Sequence, residues 1–266
     1  MTQKSSKPLA LITGASAGIG AVYARRLAAR GYDLILVARR GDRLSALATE
    51  LRGQFGVDVG TLVADLTRDE DVTAVENRLR NAPGLTLLVN NAGSAKLAPL
   101  EATASQDVAD MISLNVTALT RLTQAVLPRF KAAGEGAIVN VASVLSIHSL
   151  GISAVYSGTK GYVLNFSRGV QAELEGTGVY LQLVLPASTE TELWDLSGVP
   201  LAALKAGTVM TAENMVDAAM VGFDRREPVT LPSLTEHALW ETYDEARMGA
   251  FAATQTAEPA ARYRRS

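Results

Sequence analysis

The stretch Leu9-Ala10-Leu11-Ile12-Thr13-Gly14-Ala15-Ser16-Ala17-Gly18-Ile19-Gly20 decides the architecture of this chain. An aliphatic run of strand length ends at Thr13, glycines follow at 14, 18 and 20, and a helical pattern takes over across 20–31. Glycines at such a junction let the backbone turn tightly and approach a pyrophosphate, whose charge the helix N-terminus stabilises. Glycines also occur at tight turns for structural reasons alone, but here strand, turn and helix stand in the order that phosphate binding needs. Gly14, Ser16, Ala17, Gly18, Ile19 and Gly20 are therefore candidate dinucleotide contacts.

Outward from this unit the pattern repeats. Aliphatic runs at 34–38, 59–64, 85–90, 137–141 and 179–185 alternate with helical patterns at 43–55, 69–80, 105–130 and 155–175. Pro128 is expected to end or bend the long helix over 105–130. Continuously apolar strands joined by helices demand right-handed crossovers and a parallel sheet covered on both faces. The fold class is thus α/β, a doubly wound parallel sheet. One domain over 1–266 is expected, with 190–211 as a substrate-binding insertion and 232–266 as a C-terminal helical extension.

Composition narrows the chemistry. The 266 residues include no cysteine and two histidines, His148 and His237. Disulfides, thiolate metal sites and a cysteine nucleophile are excluded, no metal site is expected, and the work falls to hydroxyls, lysine, amides, carboxylates or a borrowed cofactor. A formal charge of −2 is too balanced for affinity built on phosphate neutralisation, so no nucleic-acid partner is expected. The basic tail Arg262-Tyr263-Arg264-Arg265 reads as a solvated terminus. Lys4 and Lys7 before a short apolar run are not a secretory signal, and no segment reaches membrane-spanning length. A cytoplasmic protein without membrane contact is the expectation.

The second strand ends Val37-Ala38-Arg39-Arg40. A carboxylate there would read a ribose 2′-hydroxyl, whereas arginine suits a 2′-phosphate, so Arg39 and Arg40 favour NADP over NAD. Asp65, after the third strand, is either an acceptor for the adenine amine or a turn cap. Asn90-Asn91-Ala92-Gly93 allows close backbone approach after the fourth strand. Ser143 follows the fifth strand, and Tyr156 and Lys160 share one helical face by their spacing of four. An ammonium near a phenol favours the phenolate and is expected to lower the Tyr156 pKa. His148 reads as a solvent-facing loop residue, and Leu193 and Trp194 as pocket lining.

Taken together, the glycine turn, Asn90 to Gly93, Asn115, Ser143 and the Tyr156/Lys160 pair resemble the short-chain dehydrogenase/reductase family over 9–191. The resemblance implies a Rossmann-like sheet of about seven strands and an NAD(P)-dependent oxidoreductase, with a small carbonyl or alcohol as substrate. It implies Tyr156 as general acid or base, Lys160 on the nicotinamide ribose, Ser143 on the carbonyl, and Asn115 holding a water that links Lys160 to a proton relay. Leu66, Pro186 and Thr191 join the implied cofactor contacts with Asp65, Asn91, Ala92 and Gly93. A homodimer or homotetramer, paired through the Tyr156 helix and the long helix before it, is also implied. A non-catalytic dinucleotide-binding regulator is the alternative; a nucleotide-sugar-modifying relative is disfavoured by the three residues Ala15-Ser16-Ala17 between glycines. Two departures stand out. Ala187 follows Pro186 where the family usually has glycine, a strained choice if that position needs positive φ. Ser16 and Ala17 occupy the turn where NADP-using members often carry a basic residue, leaving Arg39 as the main NADP signal.

Overall fold

A computed structural model describes residues 7–264. The described chain divides into two compact units, Met1–Pro232 and Ser233–Ser266. In the first, β1 (Leu9–Thr13), α1 (Gly18–Ala29), β2 (Asp33–Ala38), α2 (Gly41–Phe55), β3 (Val59–Val63), α3 (Asp69–Asn81) and β4 (Leu85–Asn90) build one half of the sheet. The other half follows as α4 (Ser105–Ile112), α5 (Leu119–Ala133), β5 (Gly136–Val141), α6 (Ala154–Glu173) and β6 (Val179–Val184). Then come β7 (Thr189–Glu190), α7 (Leu193–Ser197), β8 (Met210–Thr211), α8 (Ala212–Asp224) and β9 (Val229–Thr230).

The seven-stranded sheet runs in the order β3-β2-β1-β4-β5-β6-β9, and all its pairings are parallel. Alternation along β1 shows why both faces are covered. Ala10 and Ile12 pack with Val22 of α1, Leu44 of α2 and Met215 of α8. Leu11, pointing the other way, packs with Val75 of α3, Leu122 of α5 and Val170 of α6. Each large aliphatic side chain so buried contributes about 1.5–3 kcal/mol relative to exposure. Strand order reverses between β1 and β4, which opens a crevice at their carboxyl ends, the usual ligand position in such sheets.

The long helix differs from expectation. Residues 113–118 form a π-helical turn between α4 and α5, and α5 continues past Pro128 to Ala133. Proline removes one i→i−4 hydrogen bond without stopping the helix; Gly134, at φ 66°, stops it by supplying the left-handed cap. The region expected as an insertion is tied down more than its weak periodicity suggests: β7 pairs with β8 in a two-stranded sheet of its own, and Leu97 N donates to Ser197 O at 2.7 Å.

The second unit contains α9 (His237–Ala253). Its ring contact is Trp240 on Tyr243, with centroids 5.4 Å apart. Arg265 of the basic tail lies outside the described residues.

Candidate active site

The glycine turn is shaped by close approach. Gly14 sits at φ 68°, and a Cβ there would stand 2.7 Å from Asn91 Nδ2; a Cβ on Gly20 would stand 2.3 Å from Gly14 O. No side chain fits either position. The turn is stitched to the end of β4: Thr13 Oγ1 accepts from Asn91 N and Ala92 N, both at 3.0 Å, and Asn91 Nδ2 donates to Thr13 O at 2.9 Å. Gly18, Ile19 and Gly20 open α1, with extended Ala17 as its N-cap. Backbone N–H groups therefore face the crevice, the requirement for holding a phosphate.

The arginines behave differently from one another. Arg39 is two-thirds exposed, with a long 3.9 Å contact to Asp65. Arg40 reaches the turn itself, donating from Nε and Nη2 to Ser16 Oγ at 3.2 and 3.1 Å. Its Nη1 meets Glu192 at 2.5 Å, and Arg43 takes the other Glu192 oxygen at 2.5 Å. Sequence reasoning missed Arg43 and Glu192, since a contact across 149 residues leaves no local pattern. Asp65 acts as a turn cap, accepting from Thr67 N at 3.1 Å and Thr67 Oγ1 at 2.8 Å. Leu66 is buried in the core cluster beside β1 and β2.

On the other side of the crevice, Ser143, Tyr156, Lys160 and Asn115 are all buried. Lys160 Nζ lies 5.7 Å from the Tyr156 ring centroid and donates to Val141 O at 3.1 Å. Asn115 sits in the π-helical turn; its Oδ1 accepts from Ser94 N at 2.9 Å, and its Nδ2 donates to Ser94 O at 2.8 Å and Thr159 Oγ1 at 3.1 Å. Gly93 joins the two halves: a Cβ there would be 3.2 Å from Asn115 Oδ1 and 3.5 Å from Lys160 Nζ. Ser143 Oγ accepts from Leu145 N at 3.1 Å.

The expected depression of the tyrosine is reversed. Burial pushes the Tyr156 phenol up to about 12, against a smaller downward pull from a hydrogen bond with Ser143. Burial also brings Lys160 down to about 8. Desolvation disfavours both charged forms, and it outweighs the attraction the spacing suggested.

Pro186 is buried, and its carbonyl accepts from Val144 N at 2.9 Å. Ala187 carries no strain: among the described residues only Arg226 is a non-glycine at positive φ. Thr191 lies against the glycine turn, since a Cβ on Gly18 would meet its methyl at 3.0 Å. Leu193 packs with the apolar cluster of Ala95, Met111 and Tyr156, joined by Leu97, Leu145 and Val155. Trp194 anchors its segment instead, donating from Nε1 to Thr189 O at 2.8 Å. His148 is exposed. A surface cavity of about 400 Å³, lined by Tyr32, Thr86 and Tyr180 among others, opens at the opposite, amino edge of the sheet.

Residues 8–198 match the family model described as short chain dehydrogenase. The chain belongs to the short-chain dehydrogenase family. A member from Sphingobium yanoikuyae, solved in complex with NADPH, superposes with a TM-score of 0.93 at 48% identity, covering 97% of this chain and all of that one. The bulky-bulky ketone specific alcohol dehydrogenase of Comamonas testosteroni gives 0.88 at 41% identity, covering 96% and 98%. Sulfoacetaldehyde reductase 2 of Chromohalobacter salexigens is 42% identical over 69% of this chain and 73% of its own. Against the very-long-chain 3-oxoacyl-CoA reductase-A of Danio rerio, 32% identical, 69% of this chain matches but only 59% of the relative's length is spanned. In this short-chain dehydrogenase the glycine turn that admits no side chain and the buried Ser143, Tyr156, Lys160 and Asn115 lie at the same carboxyl edge of the sheet.

Proposed function

We propose that this chain is an NADPH-dependent oxidoreductase interconverting a ketone and a secondary alcohol. The observation that carries the reading is the burial of Ser143, Tyr156, Lys160 and Asn115 together beside a glycine turn that admits no side chain. A purely regulatory dinucleotide binder has no use for a buried tyrosine–lysine pair.

The residues fit the cofactor. The turn from Gly14 to Gly20 would hold the pyrophosphate, Asn91, Ala92 and Gly93 would flank the ribose side, and Asp65 and Leu66 would border the adenine. Arg39 and Arg40 would face a 2′-phosphate, with guanidinium forks matched to its oxygens. Pro186 and Thr191 would border the nicotinamide. When bound, the nicotinamide supplies the hydride. The protein supplies the rest. Ser143 donates to the carbonyl oxygen, and Tyr156, held protonated by a pKa of about 12, delivers its phenolic proton to that oxygen in reduction. Lys160 would hold the ribose hydroxyls, and a water at Asn115 would link Lys160 to the proton relay that reprotonates the tyrosine. In oxidation the phenolate accepts the alcohol proton.

Tyr156 is buried in an apolar cluster with Ala95 and Met111, against which Leu97, Leu145, Val155 and Leu193 pack, and these apolar neighbours support a carbonyl flanked by apolar groups over a charged small aldehyde. The segment 190–211 would form part of this specificity wall, within a single catalytic domain to which 232–266 is appended.

We extend the reading to a cytoplasmic homo-oligomer. No helix among the described residues is long and apolar enough to cross a membrane. On α6 exposed Tyr162 stacks on partly buried Phe166, with centroids 5.7 Å apart, and the Tyr162 hydroxyl bonds to Thr120 Oγ1 of α5 at 3.0 Å. These are the two helices expected to pair between subunits.

The test is NADPH and NADH oxidation across a panel of carbonyls, with Tyr156→Phe as control. The variant should lose about 10²–10⁴-fold in turnover while still binding NADPH. Near-native turnover in Tyr156→Phe overturns the assignment.

A further inference from the structure

We propose that Glu192 sets cofactor discrimination: its carboxylate sits in the anion seat formed by Arg40 and Arg43 over Ser16, and a 2′-phosphate binds there by displacing it. The proposal rests on the cofactor crevice assigned above and goes beyond it to a residue whose charge opposes the ligand.

Arg40 is oriented at the mouth of the glycine turn by two hydrogen bonds to Ser16 Oγ. Its Nη1 and the Nη1 of Arg43 each hold one oxygen of Glu192 at 2.5 Å. One carboxylate therefore occupies two guanidinium groups on the same edge of the crevice. Glu192 follows Thr191, which lies against Gly18, so its side chain reaches from the segment after β6 to the exit of β2. The two arginines hold its carboxyl below the usual range, which favours the ionised form. Arg39, with its long contact to Asp65, is the neighbouring cation least committed to an acid.

Chemistry orders the competitors. A phosphate monoester carries nearly two charges and three acceptor oxygens, whereas Glu192 offers one charge and two oxygens to the same forks. All three side chains are 44–49% exposed, and an exposed carboxylate–guanidinium pair is weak enough to be exchanged. A 2′-phosphate thus replaces Glu192 on Arg40 and Arg43, at the expense of breaking the existing pairs. A cofactor with a free 2′-hydroxyl does not need the seat, and leaves Glu192 in place. The acid therefore subtracts affinity from NADPH and none from NADH.

The experiment is calorimetric titration of the full chain and its Glu192→Gln and Glu192→Ala variants with NADPH, NADH, 2′,5′-ADP and 5′-AMP. Thermal melts confirm that each variant is folded. The expected result is about three- to tenfold tighter binding of NADPH and 2′,5′-ADP in both variants, with NADH and 5′-AMP unchanged. Arg40→Gln should weaken the two 2′-phosphate-bearing ligands, NADPH and 2′,5′-ADP, selectively. Unchanged or weakened NADPH binding in Glu192→Gln overturns the proposal, as does a gain shared equally by NADH. Wild-type chain that binds neither dinucleotide overturns the cofactor reading along with it, so the two failures are told apart by the wild-type titration alone.

Discussion

Lys160 is a cation held where water is scarce. It is 5% exposed, donates to the Val141 carbonyl, and has its pKa brought from 10.5 to about 8 by burial. Between those two values the unfolded chain keeps a proton that the folded one has released, so stability rises with pH across that window. Below pH 8 the full cost of the buried charge is present, amounting to about 3 kcal/mol. Relative to Lys160→Met, wild type should therefore gain about that much between pH 8 and 10.5, as read by chemical denaturation at a series of pH values. A difference between the two proteins that does not vary with pH would count against a buried ammonium. The residue pair was readable from its spacing of four and its place after Ser143. Its protonation was not, because the sign depends on how much water the fold removes from each group, which side-chain spacing does not encode.

At the scale of elements, the joint between β1 and β4 holds the crevice open. Thr13 Oγ1 donates to Val89 O at 3.3 Å while accepting from two backbone N–H groups. Valine is nearly the same shape and can do neither. Thr13→Val should cost about 2–4 kcal/mol by leaving both donors unpaired, measured by urea denaturation, and should weaken NADPH binding by loosening Gly14. An effect on binding without one on stability would place the role elsewhere. Most of the sheet strands were legible because they are dominated by aliphatic residues, 9–12 in β1 and 34–38 in β2 being the longest such runs. By contrast β7 and β8, at two residues each, are too short to carry a period. The division of 105–130 was hidden for another reason: a π-helical turn keeps a helical composition and differs only in which carbonyl each N–H finds.

For the whole molecule, contacts between distant segments decide what local pattern leaves open. Arg40 was legible at the end of β2, but its partner Glu192 stands 152 residues away, and only the doubly wound path brings them together. Subunit pairing belongs to this scale too. Exposed Tyr162, stacked on partly buried Phe166 of α6, leads us to expect that Tyr162→Arg converts an oligomer to a monomer in light scattering, with the fold intact by circular dichroism. A wild type already monomeric at micromolar concentration would remove that expectation.

The π-helical turn at 113–118 has a consequence for insertions and deletions. A π-turn holds one residue more than the α-helix that would replace it. Removing Val116 should let α4 and α5 fuse into one regular helix, a change that relieves the looser hydrogen bonding and favours the helix as such. Because the wide turn absorbs that extra residue, α4 and α5 would keep their phase and their packing. Asn115, which sits on the turn that closes, would instead lose the position from which it pairs with Ser94 and Thr159. The shortened chain should therefore keep its sheet and lose turnover, so that in this one loop a gain in regularity is a loss of aim.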